Sequence, residues 1–123
     1  MKQPKVFINR LWKVLDVLSI NFENELIKVY DEEYNEYEYY EFREVKFMKN
    51  TGFKDKNGTD IYVGDIVKRE VGNNIHLEVV KKDENYNAFS LVDETSCVLF
   101  INEDEKFVEV IGNIYENKEL LEE

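Results

Sequence analysis

The chain has one cysteine, one histidine, one proline and five glycines in 123 residues, and each scarcity removes a class of chemistry. A single thiol, Cys97, allows no internal disulfide, so the fold must hold by packing and a reducing, intracellular setting follows. In its context CVLFI, Cys97 reads as a small core residue. One histidine and one cysteine cannot furnish a structural zinc site. A dyad would need Cys97 and His76 to meet across strands with no third group to orient the imidazole. Gly52 and Gly58 have the wrong spacing for a phosphate-cradling loop and no lysine follows the second. No Gly-x-Ser-x-Gly elbow occurs. Long apolar runs are missing too: nothing approaches the ~20 residues of a membrane span, and the first 14 residues contain no signal-peptide core. These absences lead us to expect no catalytic residue, no cofactor, no bound metal and no membrane association.

Positive charge is also scarce. The chain carries 27 acids against 16 bases, a formal charge of -11, and the excess lies mainly in residues 51–123, with 17 acids against 8 bases. Such a field repels phosphate backbones, so direct nucleic-acid binding is not expected. The simplest reading of the acidity is a soluble surface. The sharper alternative is a nucleic-acid mimic, whose rows of glutamate occupy the basic groove of a host nucleic-acid-binding or defence protein.

What is present suffices for a core. Hydrophobic residues make up 43% of the chain and aromatic ones 14%, and a chain of this length buries about two-thirds of its unfolded surface, as one compact domain or two very small ones. Residues 7–22 fit both a helical stripe (Phe7, Leu11, Val14, Leu15, Leu18, Phe22) and an alternation (Trp12, Val14, Leu18, Ile20, Phe22) faulted only by Asp16. A turn at Glu23, Asn24 and Glu25 followed by the run Leu26 to Tyr30 favours a hairpin, hence a strand in the second half. Residues 31–44 hold seven acids, four tyrosines and Phe42. Their alternation gives one aromatic and one acidic face, with a phase slip that predicts a bulge or break near Tyr39 and Tyr40. Tyr34, Tyr37, Tyr40 and Glu44 also permit a helical stripe. Val45 to Met48 form a short strand, and a boundary near Lys49 separates an N-terminal β-rich subdomain, residues 1–49, from residues 50–123. Beyond it, strands are expected at 75–81, 86–92, 97–101 and 107–111, the first two joined by a turn at 83–85 and the last two paired around an acidic turn at 102–105. A short terminal helix is expected at 116–123. Strands at this spacing suit a small barrel.

Three of the five glycines lie in residues 51–67, TGFKDKNGTDIYVGDIV. Asn57-Gly58 predicts a type I′ turn, which needs positive φ at both central residues. A calcium loop starting at Asp55 fails, because position 6 is Asp60 where Gly is needed and position 12 is Ile66 where Glu is needed. Gly64 before Asp65, Ile66 and Val67 predicts a bulge or sharp strand entry, with Asp65 tying down the loop.

This segment is similar to the signature of the YopX family of phage and prophage proteins. Residues 17–22 (VLSINF) and 110–117 (VIGNIYEN) resemble two further family blocks, in the right order, and together the blocks cover about a third of the chain. Lys118 stands where the family has proline and Phe53 where leucine is common. The resemblance implies a phage or prophage origin, and so the cytoplasm of a bacterial host cell, with a mostly β structure whose later part is an SH3-like barrel. On it, Thr51, Gly52, Asp55, Asn57, Gly58, Gly64, Asp65, Gly112 and Asn113 are signature residues, which we read as builders of turns.

The expected fold is therefore mainly β: a small N-terminal β subdomain, an SH3-like barrel and a short C-terminal helix. The expected role is a non-enzymatic accessory module that binds another protein or a second copy of itself, with Tyr34, Tyr37, Tyr39, Tyr40 and Phe42 as candidate partner surface. An enzyme using Asp55, Asp60 or Asp65 around a divalent metal is the remaining class.

Overall fold

A computed structural model of the protein describes residues 3–83, 88–100 and 102–121. The chain is mainly β and divides into two compact units, Met1–Lys49 and Asn50–Glu123.

In the first unit β1 (Lys5–Ile8), β2 (Lys13–Asn21), β3 (Leu26–Asp31), β4 (Glu36–Glu41) and β5 (Val45–Met48) form one antiparallel sheet in the order β4-β3-β2-β1-β5. Strict alternation along β3 puts Ile27, Val29 and Asp31 on the buried face and Leu26, Lys28 and Tyr30 on the other. The core is Val6, Ile8, Val17, Ile27, Val29, Tyr40 and Val45, with Leu15, Ile20 and Phe42 at its margin.

Two details of this unit differ from the sequence reading. The alternation through residues 12–22 is interrupted by an irregularity, not by a misplaced acid. Leu15 and Val17 belong to the core side, the register shifts between Val17 and Ser19, and Ile20 is then the inward residue, with Asp16 on the opposite face. Conversely, β4 has no bulge. Its pairing with β3 is continuous from Leu26↔Glu41 to Asp31↔Glu36, and Tyr40 is simply the one inward position of β4 that reaches the core, in phase with Glu38 and Glu36. The break comes after Glu41, in a 3-10 turn at Phe42–Glu44.

In the second unit β6 (Asn50–Lys54) and β7 (Asp60–Tyr62) make a hairpin. A five-stranded antiparallel sheet follows, built from β8 (Asp65–Val71), β9 (Asn74–Asp83), β10 (Ala88–Val92), β11 (Cys97–Leu99) and β12 (Val108–Asn113) in the order β11-β10-β9-β8-β12. Ile61, Val67, Val80, Leu91, Phe100 and Val108 form its core, with Phe53 and Val110 packed against them. Phe53 meets Phe100 edge to face at 4.5 Å.

Here too the structure corrects particulars. β11 pairs with β10 and β12 with β8, so the two do not pair with each other. The acidic stretch between them is a 3-10 segment, Asn102–Phe107. The terminal segment makes a 3-10 turn at Lys118–Leu121 where a helix was expected. Among the described residues the strands form three open sheets and no closed barrel. The turn expected through residues 84–85, the strand start at Tyr86, and residues 101 and 122–123 lie outside the described residues. Among the described residues no helix is long and apolar enough to cross a membrane.

Candidate functional site

The outward face of β3 and β4 carries an ordered group of exposed rings. Tyr37 and Tyr39 stand two residues apart on β4, hence on one side of it, and both are 63% exposed. Lys28 projects between them from β3, directly opposite Tyr39, with its ammonium 4.7 Å from the Tyr37 ring centre and 5.8 Å from that of Tyr39. Tyr30 packs on Tyr37 with ring centres 5.0 Å apart, and its hydroxyl donates to Asn35 Oδ1. Lys13 lies 5.1 Å above the ring of Tyr34, which is as exposed as Tyr37. The rings are held by neighbours yet keep most of their area in water. The other two residues of the candidate surface behave differently. Tyr40 is buried and donates its hydroxyl to the Glu38 carboxylate, and its burial, then that carboxylate, raise its phenol above the ordinary range. Phe42 is half-buried and meets Phe22 and Phe47 edge to face, at 6.0 and 5.4 Å.

The signature residues gather in the second unit around hydrogen bonds to backbone. Asp55 is buried, and its Oδ1 accepts the N–H groups of Asn57 and Thr59 while Oδ2 accepts that of Val110, all at 2.9 Å. The turn it supports is not type I′. Gly58 N–H donates to Asp55 C=O, and positive φ at this turn belongs to Gly58 (81°) and not to Asn57, which is a type I turn closed by a glycine bulge. Thr51 Oγ1 donates to Ile61 C=O and accepts from Phe53 N–H, and Gly52 N–H donates to Asn50 Oδ1. Asp65 Oδ2 accepts Tyr62 N–H, and Gly64 between them has φ 100°. Asn113 Oδ1 accepts the N–H groups of Tyr115 and Glu116. The signature segment and the closing run, distant in sequence, are one cluster: Val67 faces Val110, Asp65 faces Asn113, and Gly64 C=O accepts Ile114 N–H.

Other charged groups are engaged as local fasteners. Lys13 Nζ lies 2.6 Å from Oδ2 of the buried Asp31, and this ion pair holds the carboxyl below, and the ammonium above, its ordinary range. The pair sits in a cleft of about 330 Å³ with Lys5, Asp16, Tyr30 and Glu33. Arg69 grips the fully buried Glu78 through Nε at 2.6 Å and Nη2 at 3.1 Å, which keeps the guanidinium firmly protonated. Asp93 caps its loop by accepting the N–H groups of Thr95 and Ser96, and is held below the usual carboxylate range by them.

His76 alternates with Leu77 on β9, on the side of Glu78 and Val80. Cys97 pairs with Val92, which pairs with Val79, so it lies on the opposite face and the two do not form a dyad; there it is exposed on β11, not the small core residue that its apolar context suggests. Asp60 lies 3.4 Å from Lys54 Nζ while Asp55 and Asp65 accept backbone donors. Among the described residues no three His, Cys, Asp or Glu side chains gather as a metal site would require. Sequence reasoning missed Lys28, the Lys13–Asp31 pair and the Arg69–Glu78 pair. Only the cross-strand register reveals these partners, although the alternation of β3 already placed Lys28 and Tyr30 on one side.

The family model described as YopX protein matches residues 9–122. No curated protein matches the chain. Among solved structures the chain resembles the crystal structure of protein EF1440 from Enterococcus faecalis, at 22% identity and a TM-score of 0.70, over 99% of each chain. At that identity the likeness bears on fold alone.

Proposed function

The chain belongs to the YopX protein family, and from that premise we propose that it is a non-enzymatic protein-binding β module, a phage or prophage accessory protein working in the cytoplasm of a bacterial host. The observation that carries the reading is the Tyr37–Lys28–Tyr39 stack on the outer side of β4, an edge strand of its sheet. Tyrosines already held by a neighbouring cation bring large contact area at low entropic penalty, which is what interface cores select. The signature residues act through turns: their carboxylates and amides are directed at backbone donors, which favours scaffolding over recognition. On the same reading the second unit is an opened relative of the SH3-like barrel, its five-stranded sheet accompanied by the β6–β7 hairpin.

The test is affinity capture from lysogenic or infected cells with the wild-type chain and with Tyr37→Ala/Tyr39→Ala. A specific protein recovered by the first and lost by the second supports the reading; the same proteins recovered by both contradicts it. The mimic reading draws on Glu36, Glu38 and Glu41 along the same edge strand. It requires the partner to be displaced by DNA and by moderate salt.

A further inference from the structure

The outer face of the second sheet carries an apolar patch along β9 and β11 in a chain whose charge is -11, bordered on β8 by the Lys68–Glu70 ion pair, with Lys68 opposite Leu77. Ile75, Leu77 and Val79 alternate along β9 on the side away from Glu78 and Val80. Ile75 is 61% exposed, Leu77 39% and Leu99, on β11, 53%. Leu77, Val79 and Val92, with Leu120 and Leu121 of the terminal 3-10 turn, line an open groove of about 620 Å³. The two ends of this groove differ in sign. Lys81 stands at one end of β9, opposite Ser90, while the chain leaving β10 at Val92 turns through Asp93, Glu94 and Thr95 toward the Leu77 end.

We infer that this groove is the contact face between two copies of the chain. They pack face to face about a two-fold axis that lies in the contact plane and crosses the strands at the level of Val79 and Val92, with the Leu120–Leu121 turn of each copy inside the contact. Rotation about that axis exchanges the two ends, so Lys81 of each copy comes over the Asp93–Glu94 turn of the other, and the attraction is made twice. The apolar floor of one copy covers that of the other. The level of the axis stays in place, so Cys97, which pairs with Val92, comes opposite its own counterpart. An unrelated apolar partner has no need of opposite charges at the two ends; a second copy brings both. This surface lies in the second unit and is separate from the tyrosine face of the first, so the inference goes beyond the reading above and its failure leaves that reading standing.

The experiment is sedimentation equilibrium of the full chain over a concentration series, with the side chains at issue exposed so that substitution spares the fold. A dimer is expected. Lys81→Glu and Glu94→Lys should each weaken it about tenfold, and the double variant Lys81→Glu/Glu94→Lys should restore it. Leu77→Lys should give a monomer with unchanged circular dichroism. A short bismaleimide should link two wild-type chains through Cys97, the one thiol present. A chain that is monomeric at every concentration overturns the inference. So does a dimer indifferent to all of these substitutions and not linked through Cys97.

Discussion

Asp55 Oδ2 accepts the backbone N–H of Val110 at 2.9 Å, so one carboxylate in the turn between β6 and β7 fastens a strand 55 positions further along the chain. The same side chain closes its own turn through Asn57 and Thr59. Asp55→Ala leaves three backbone donors without their acceptor and should cost about 3 kcal/mol. Asp55→Asn should cost less, since its carbonyl keeps one side of the arrangement while its amide confronts a donor. Urea denaturation of the two variants checks the order; an Asp55→Ala variant as stable as wild type would refute this role.

Gly64 has φ 100° between β7 and β8, its N–H donates to Val80 C=O and its own C=O accepts Ile114 N–H. A β-branched residue is excluded from that conformation, and relaxing it breaks both hydrogen bonds. Gly64→Val should not fold. A soluble variant with a cooperative thermal melt would contradict this.

Gly112 reads differently. A Cβ there would come 2.9 Å from Asn117 Cβ and closer still to its amide, the group that accepts Asn113 N–H. Gly112→Ala should therefore fold but lose about 1–2 kcal/mol, as Asn117 is pushed off its partner. Gly112→Ala/Asn117→Gly should recover part of that loss in the same denaturation assay.

Arg69 and Glu78 exchange two hydrogen bonds with Glu78 fully buried. Arg69→Ala strands a carboxylate in the core and should destabilise by about 3–5 kcal/mol, whereas Arg69→Met/Glu78→Leu should come close to wild type. Thermal unfolding of both variants gives the comparison, and equal damage from each would argue that packing, not stranded charge, dominates.

Stability should fall in acid. Asp31 is held below its ordinary range by Lys13, and Asp93 by the N–H groups of Thr95 and Ser96. A depressed folded pKa contributes stability that is fully present above the unfolded value of about 3.9 and is lost as the pH drops through the folded value. Lys13, raised by the same contact, contributes below its unfolded value and loses that contribution only as alkaline pH passes through the folded one. Asp93→Asn keeps the capping oxygen but removes the titration, so its stability should decline less between pH 5 and pH 2. A parallel decline would rule Asp93 out as a contributor.

Much of the frame was legible before the structure. Periodicity marks the hairpin of β2 and β3, and residues 75–81 read as strand because Ile75, Leu77 and Val79 alternate with their neighbours, within the observed Asn74–Asp83. What was not legible depended on distant partners. Adjacency in sequence favours a local hairpin between β11 and β12, while Asp55 and Gly64 instead secure β12 beside β8. The type of turn at Asn57-Gly58 was missed for a local reason, since Asp55 captures the N–H of Asn57 and holds that residue out of the left-handed region. Of the tyrosine surface, Tyr34, Tyr37 and Tyr39 lie in water as an acidic, aromatic alternation suggests. Tyr40 went into the core because parity, not composition, decides which face a strand residue occupies.

The central claim, that the molecule works by presenting the ring-bearing outer face of β3 and β4 to a protein, is tested most directly by hydrogen–deuterium exchange on the chain bound to the protein it captures. The account predicts new protection concentrated in residues 26–41, with the turns around Asp55 and Gly64 unchanged. Protection confined to the signature turns, with residues 26–41 exchanging as in the free chain, would contradict it.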